Sequence, residues 1–427
     1  MKLVMGNKTI IISIMFLIPM FLMAQEKDSK FKLKFSGFIS NDASLNTRQS
    51  ISARGEGLFV LAPKPVELDN EGNDINNTPS FNFVGINSRI RVKITGPDAF
   101  GAKTSGMIEG DFLGVNTDSK FNFRLRHAFM KLDWEKSQLL VGQYWHPTFV
   151  VDCYPGTVSF GAGSPFNPLA RNPQFRYSYK LGKTTISLTQ LTNGHFTNKG
   201  AADAQFNSLV PELHFQLKYK TDKFVGGLGY GHQILRPEIV TPNNYITKEK
   251  VHSNTVLAFA KVTSSMLTFK SYSMYGQNND NLVMMGGYAA VEKTYTSDQI
   301  NKGIVQYTPY NNFTSWLDIH TNGKKIIAGI FAGYSNNLGA SKNVDISTYT
   351  GRWGNVKDMM RISPRLIFIS GSTIIGTEIE YSSVNYNKGN PDGITDEEIT
   401  GYNSKGLVTN YEAANNLKFL LNVTYKF

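Results

Sequence analysis

NNLKFLLNVTYKF, residues 415–427, alternates with a period of two up to an aromatic end. Leu417, Phe419, Leu421, Val423, Tyr425 and Phe427 fall on one face; Asn416, Lys418, Asn422, Thr424 and Lys426 fall on the other, with Leu420 the exception. Successive side chains of a strand point to opposite faces, so the segment has one apolar and one polar side. An edge strand of a secreted sandwich would read the same way. Behind a secretory leader, the pattern points instead to the closing strand of a barrel whose outer wall meets lipid and inner wall meets water.

Such a leader stands at the other end. Lys2 and Lys8 precede an apolar run over residues 10–23, broken only by Ser13 and Pro19, which stops at Ala24-Gln25-Glu26. A basic start followed by an apolar stretch too short to span comfortably is a signal peptide. Residues 1–24 are expected to be removed, although Leu22 is a poor match to the small residue usual two places before the cut. Residues 25–427 then form a single barrel domain. Gln25 rather than a cysteine follows the cut, which argues against a lipoprotein.

No later run approaches the roughly 18 to 20 apolar residues of a spanning helix. A chain of this kind enters a bilayer only as a closed barrel, because helices and closed barrels alone satisfy their backbone groups in hydrocarbon. Hydrophobic content of 41%, with 38 Gly, 20 Tyr and 28 Phe, suits a wall that is half lipid-facing and girdled by aromatics, although a soluble secreted β-protein could share these values. Cys153 is the single cysteine, which excludes an intrachain disulfide framework. The formal net charge is +11, of which Lys2 and Lys8 carry two. A basic exterior would suggest nucleic acid or anionic lipid; in a barrel the position of the charge matters more than its sum.

Alternation recurs along the chain. Ile90, Val92 and Ile94 interleave with Arg89, Arg91 and Lys93; Ile108 and Phe112 alternate with Glu109 and Asp111; Phe123 and Leu125 alternate with Arg124 and Arg126. Phe175, Tyr177 and Tyr179 oppose Arg176, Ser178 and Lys180. No segment carries a helical stripe, so the chain reads as all-β. At roughly 25 residues per strand and loop, about 16 strands are expected, an even number as antiparallel bacterial barrels require. Residues 62–79, 241–250, 286–312 and 385–410 read as long outer loops. Residues 146–173 differ: prolines at 147, 155, 165, 168 and 173 punctuate a segment rich in Phe, Val and Leu. So apolar a loop is expected to pack against something, either the inner wall of the barrel or a subunit contact.

Arginines fall where alternation points them inward: Arg89 and Arg91, Arg124 and Arg126, Arg176, and later Arg361 and Arg365. A charge facing lipid near the midplane costs about 2 to 4 kcal/mol, which assigns these residues to the lumen. Glu109 and Asp111 lie on the strand between the two arginine pairs, so basic and acidic rows are expected to polarise an aqueous passage, or to brace the wall as ion pairs. Glu378 and Glu380 read as lumen lining. Seven dispersed histidines lack metal spacing, and no nucleophile stands beside a base, so neither a catalytic site, a metal site nor a cofactor is expected.

Residues 87–180 resemble the DcaP-type porins, trimeric channels of the Gram-negative outer membrane. The resemblance lies in five ordered blocks: NSRIRVKI, GMIEGDFLG, FRLRHAFMKL, LLVGQYW and ARNPQFRYSY. It covers about a quarter of the chain, and the later strands agree only in style. What it implies is a sixteen-stranded transmembrane antiparallel β-barrel in the bacterial outer membrane, a homotrimer, a third loop folded inward over residues 147–173, and passive diffusion of small anionic solutes such as dicarboxylates. By position, Arg89, Arg91, Arg124, Arg126, Arg171 and Arg176 would form a basic wall, with Glu109 and Asp111 opposite. Cys153 and the extra prolines depart from the family. A channel for hydrophobic solutes and a barrel enzyme are the alternatives. The first would begin with a small N-terminal hatch, whereas residues 25–35 read directly as strand.

Overall fold

The computed structural model describes residues 31–54, 59–194, 196–201, 203–393 and 399–427; the expected leader and residues 25–30 lie outside the described residues. The described residues form sixteen wall strands, joined antiparallel to their neighbours. In chain order these are β1 (Lys32–Asn46), β2 (Arg89–Thr95), β3 (Lys103–Asp111), β4 (Arg124–Asp133), β5 (Ser137–Trp145), β6 (Arg171–Leu181), β7 (Thr184–Leu191), β8 (Glu212–Lys220), β9 (Phe224–Leu235), β10 (Val251–Thr263), β11 (Leu267–Gln277), β12 (Tyr307–Thr321), β13 (Ile326–Ala340), β14 (Val356–Ser370), β15 (Thr373–Asn387) and β16 (Tyr411–Lys426). A short segment, Ser80–Val84, pairs with the far end of β1 ahead of β2.

Closure occurs where the terminal alternation predicts it. β1 pairs with β16 from Phe38↔Lys426 to Asn46↔Lys418, and with β2 from Lys32↔Thr95 to Phe38↔Arg89. A closed wall has no unpaired edge, which is the condition for crossing hydrocarbon as sheet. Phe419, Leu421, Val423 and Tyr425 are exposed on the outside while Asn416, Lys418 and Leu420 are buried inside. The same outward band continues through Ile90, Ile108, Phe175, Leu217, Ile330 and Ile379. The wall is a closed barrel with an apolar outer band.

Connections alternate in length between the two rims. Two-residue turns at Gly182-Lys183 and Gly371-Ser372 use the positive φ that such hairpins require, +59° and +56° respectively. Long loops occupy the other rim, and three differ from the expectation of polar outer loops. Residues 62 and 63 end a buried strand, Phe59–Pro63, which pairs with Ser50–Ala53 as a hairpin folded into the barrel. Residues 286–291 form a buried strand, Gly286–Val291, paired with Val344–Arg352, and residues 307–312 already belong to β12. Residues 385–387 belong to β15.

The proline-rich connection runs from residue 146 to 170, three residues shorter than expected, because Arg171, Asn172 and Pro173 open β6. It folds inward. Its apolar character is explained by an apolar patch on the inner wall: Phe166 packs 6.3 Å from Phe331, and the Cys153 thiol donates to the carbonyl of Ala260 at 3.4 Å. Tyr272 and Trp316 stack there 5.7 Å apart, both buried although they sit on wall strands. Burial holds the Cys153 thiol well above its ordinary range, at about 11, so it is an inert packing group rather than a nucleophile.

Candidate functional site

Three adjacent strands build a charged wall. Register places Arg89 beside Asp111 and Arg91 beside Glu109 across β2 and β3, and Asp111 beside Arg124 across β3 and β4. The acidic residues therefore do not stand across the lumen from the arginines. They lie between them in the same wall, because consecutive antiparallel strands put their inward rows side by side. Arg91 contacts Glu109 at 2.5 Å, Arg124 contacts Asp111 at 2.6 Å, and Arg126 bridges both carboxylates at 2.8 Å. Arg89 is farther, 3.7 Å from Glu109.

A β-bulge sets the aim of the next residues. Glu109 pairs with His127 and Gly110 with Leu125, which leaves Arg126 as the extra residue of β4. Before it, alternation sends Arg124 inward and Leu125 to the lipid; after it the phase is reversed, so that His127 and Phe129 turn inward and Met130 outward. His127 is buried with Nε2 3.9 Å from Glu109, and its Nδ1 has no hydrogen-bond partner among the described residues. Simple alternation misses His127. Its signal is the run of two polar residues, Arg126-His127, inside an otherwise alternating strand.

Arg171 opens β6 with its guanidinium 4.8 Å from the centre of the Trp145 ring. Arg176 lies five residues further along, donating to the carbonyl of Trp145 at 2.8 Å and resting over Tyr144 at 5.5 Å. Arg89, Arg91, Arg124, Arg126 and Arg171 all line one cavity of about 520 Å³, with Glu109 and Lys93; Asp111 and Arg176 do not line it, but contact residues that do, Arg124 and Arg126 for the first and Trp145 for the second. The inward hairpin adds Arg54, also unforeseen, whose burial draws its guanidinium down to about 10, still cationic at neutral pH. The signal for that hairpin was the apolar run Phe59-Val60-Leu61-Ala62 inside a stretch otherwise reading as loop.

The cavity's other side is aromatic and comes from the inward loop and hairpin: Phe149, Tyr154, Phe160 and Phe59. The loop is pinned by its own acid: burial raises the Asp152 carboxyl, but bonds from Lys218 and Lys220, both 2.6 Å, hold it below the ordinary range. Arg361, Arg365, Glu378 and Glu380 do point inward, but onto protein rather than water. Arg365 pairs with Asp318 at 2.8 Å, Lys418 lies 3.7 Å from Glu380, and Glu378 accepts the backbone N–H groups of Val158 and Ser159. On that side protein fills the lumen, whereas the basic wall lines the 520 Å³ cavity.

No family model matches the sequence, and no curated protein matches it. Solved structures do. The DcaP outer-membrane channel of Acinetobacter baumannii aligns over 94% of this chain and 99% of its own with a TM-score of 0.67 at 13% identity. The fold is that of a porin. An outer-membrane protein of Vibrio cholerae, OmpT in its trimer form, shares the porin fold over 94% of this chain and all of its own, with a TM-score of 0.53 at 9% identity. An anion-selective porin from Comamonas acidovorans does so over 93% of this chain and all of its own, with a TM-score of 0.52 at 10% identity.

Proposed function

We propose that this porin-fold protein is a passive diffusion channel for small hydrophilic anions, dicarboxylates among them, and that it works as a homotrimer. The observation that carries the reading is the charge imbalance of one cavity: Arg54, Arg89, Arg91, Lys93, Arg124 and Arg126 line it with Glu109 as the acid among them. Low-dielectric walls focus such a field, which lowers the energy of an anion and raises its local concentration. A dianion gains twice from that field and has two carboxylates for guanidinium forks. Glu109 and Asp111 neutralise part of the charge and hold the guanidiniums in place, so the wall is braced and basic at once. The reading is non-catalytic, since the lining groups are ion-paired guanidiniums rather than a nucleophile beside a base. Trimeric assembly is supported by the trimer form of the Vibrio cholerae structure.

Single-channel recording in a planar bilayer under a salt gradient tests the reading. An anion-selective reversal potential is expected, with addition of a dicarboxylate reducing chloride current. A cation-selective channel would overturn it.

A further inference from the structure

We infer that the passage favours, among small anions, those that carry a flat aromatic ring. The inference rests on the anion reading above and adds the second half of the cavity to it.

Two kinds of surface face the same 520 Å³ space. One is the guanidinium wall. The other is a run of rings: Trp145 stacks on Phe149 with centroids 3.9 Å apart and planes 12° apart, and Phe149 stacks on Tyr154 at 5.6 Å and 27°. Tyr154 ends this run, 43% exposed, with the Lys270 ammonium 5.6 Å from its ring centre, so the last ring of the stack carries a cation at its accessible end. Phe59 and Phe160 meet edge to face at 6.0 Å on the inward hairpin and loop. Arg126 and Arg171 lie over the Trp145 ring at 5.9 and 4.8 Å, so cations and ring faces interleave.

An aliphatic dicarboxylate engages only the guanidiniums and leaves the rings hydrated. A benzene ring bearing carboxylates matches both surfaces: it packs against the exposed part of Tyr154, where rings 4.5 to about 7 Å apart attract, and its carboxylates reach Lys270 and the arginines. Guanidiniums also stack on ring faces, so the solute's own ring gains from the basic wall. Stacking of this strength corresponds to roughly a two- to tenfold longer residence.

The test compares terephthalate with trans-cyclohexane-1,4-dicarboxylate, dianions of similar length of which the first alone has a π face. The intact protein in a planar bilayer carries chloride current, and each solute's dwell time is read from its blockades. Terephthalate is expected to dwell roughly two- to tenfold longer, and Tyr154→Leu to bring that ratio toward one. Equal dwell times in the wild-type channel would overturn the inference, and that comparison needs no variant to fold. A ratio unchanged by both Tyr154→Leu and Phe149→Leu would overturn the assignment to this stack. A channel that prefers cations and is blocked by neither dianion would fail differently, by overturning the anion reading itself.

Discussion

The Arg361 guanidinium lies 2.9 Å from the carbonyl oxygen of Ser164, tying wall strand β14 to the inward loop. The same side chain donates to the carbonyls of Val60 and Leu61 on the hairpin, at 3.0 and 3.3 Å, and to the Ser382 hydroxyl at 2.9 Å. One arginine thus joins two loops that are distant in sequence to the wall they cover. Its planar fork suits this: several donors leave in fixed directions from a single buried group.

Replacing Arg361 with Met should therefore loosen both loops. Three carbonyls and a hydroxyl lose their donor, at a cost on the order of 3 kcal/mol, while the barrel ladder is untouched. The expected result in bilayer recordings is larger and noisier conductance with normal heat-modifiable migration. Deleting residues 154–168 between intact flanking strands should raise conductance further, since that segment lies outside the hydrogen-bonded wall. Unchanged conductance in both variants would mean that the loops do not narrow the passage.

Changing Arg124 and Arg126 together to Gln removes more than two positive charges. It strips Asp111 of its close partners and leaves Glu109 with Arg91 and Arg89, so acid is exposed where cations had covered it. The reversal potential under a salt gradient should move toward cations, and dicarboxylate uptake should slow more than uptake of neutral solutes of equal size. Near molar salt the shift should shrink, because the screening length falls to about 3 Å. A double variant with unaltered selectivity would leave these arginines as wall braces alone.

Much of this was legible in the residues. Period-two alternation locates the wall strands because lipid on one side and water on the other impose it on every strand, and the final strand shows it most plainly. The rows of Arg89 and Arg91, Glu109 and Asp111, and Arg124 and Arg126 likewise follow from alternation alone. What alternation does not carry is the third dimension. Whether Glu109 faces Arg126 across the lumen or sits beside it depends on strand order, and His127 depends on a one-residue bulge. Tyr272 and Trp316 point inward but are apolar, because the loop, not water, covers them. Arg54 reaches the cavity through a hairpin whose inward course depends on a partner, Arg361, some three hundred residues away.

Acidity should tighten the outer loops through Asp280. This residue sits beyond the wall in the turn Asn279–Leu282, fully buried, accepting from the Asn198 amide at 2.5 Å and the Lys199 N–H at 2.6 Å, while its carbonyl accepts from Arg352 at 2.9 Å. Burial pushes the carboxyl up to about 6 against the pull of those donors and of the Arg352 charge. The folded value lies above the ordinary 3.8, so the closed loops bind a proton that opened loops release. Closure is therefore penalised above about pH 6 and relieved as pH falls toward 4, by on the order of 2 to 3 kcal/mol. Limited proteolysis of these loops should be slower at pH 5 than at pH 7.5, and Asp280→Asn should remove the difference. Faster cleavage at pH 5 in the wild type would contradict the sign.

The last residue should matter out of proportion to its size. Phe427 exchanges two backbone bonds with Gly37, donating to its carbonyl at 3.2 Å and accepting from its N–H at 2.9 Å, and so completes the seam between β16 and β1. Its ring lies where a side chain at residue 37 would have to go: a Cβ there would meet the ring at 2.7 Å and the Arg89 carbonyl at 2.3 Å. Glycine at 37 thus admits both the neighbouring strand and the terminal ring. Removing Phe427 takes away two ladder bonds and an outward aromatic at the seam between β16 and β1. Insertion into vesicles, scored by the heat-modifiable band and protease protection, should fall several-fold. Gly37→Val should produce the same defect with Phe427 still present, since it displaces the ring and clashes with the wall. Normal insertion of both variants would show that closure does not depend on this contact.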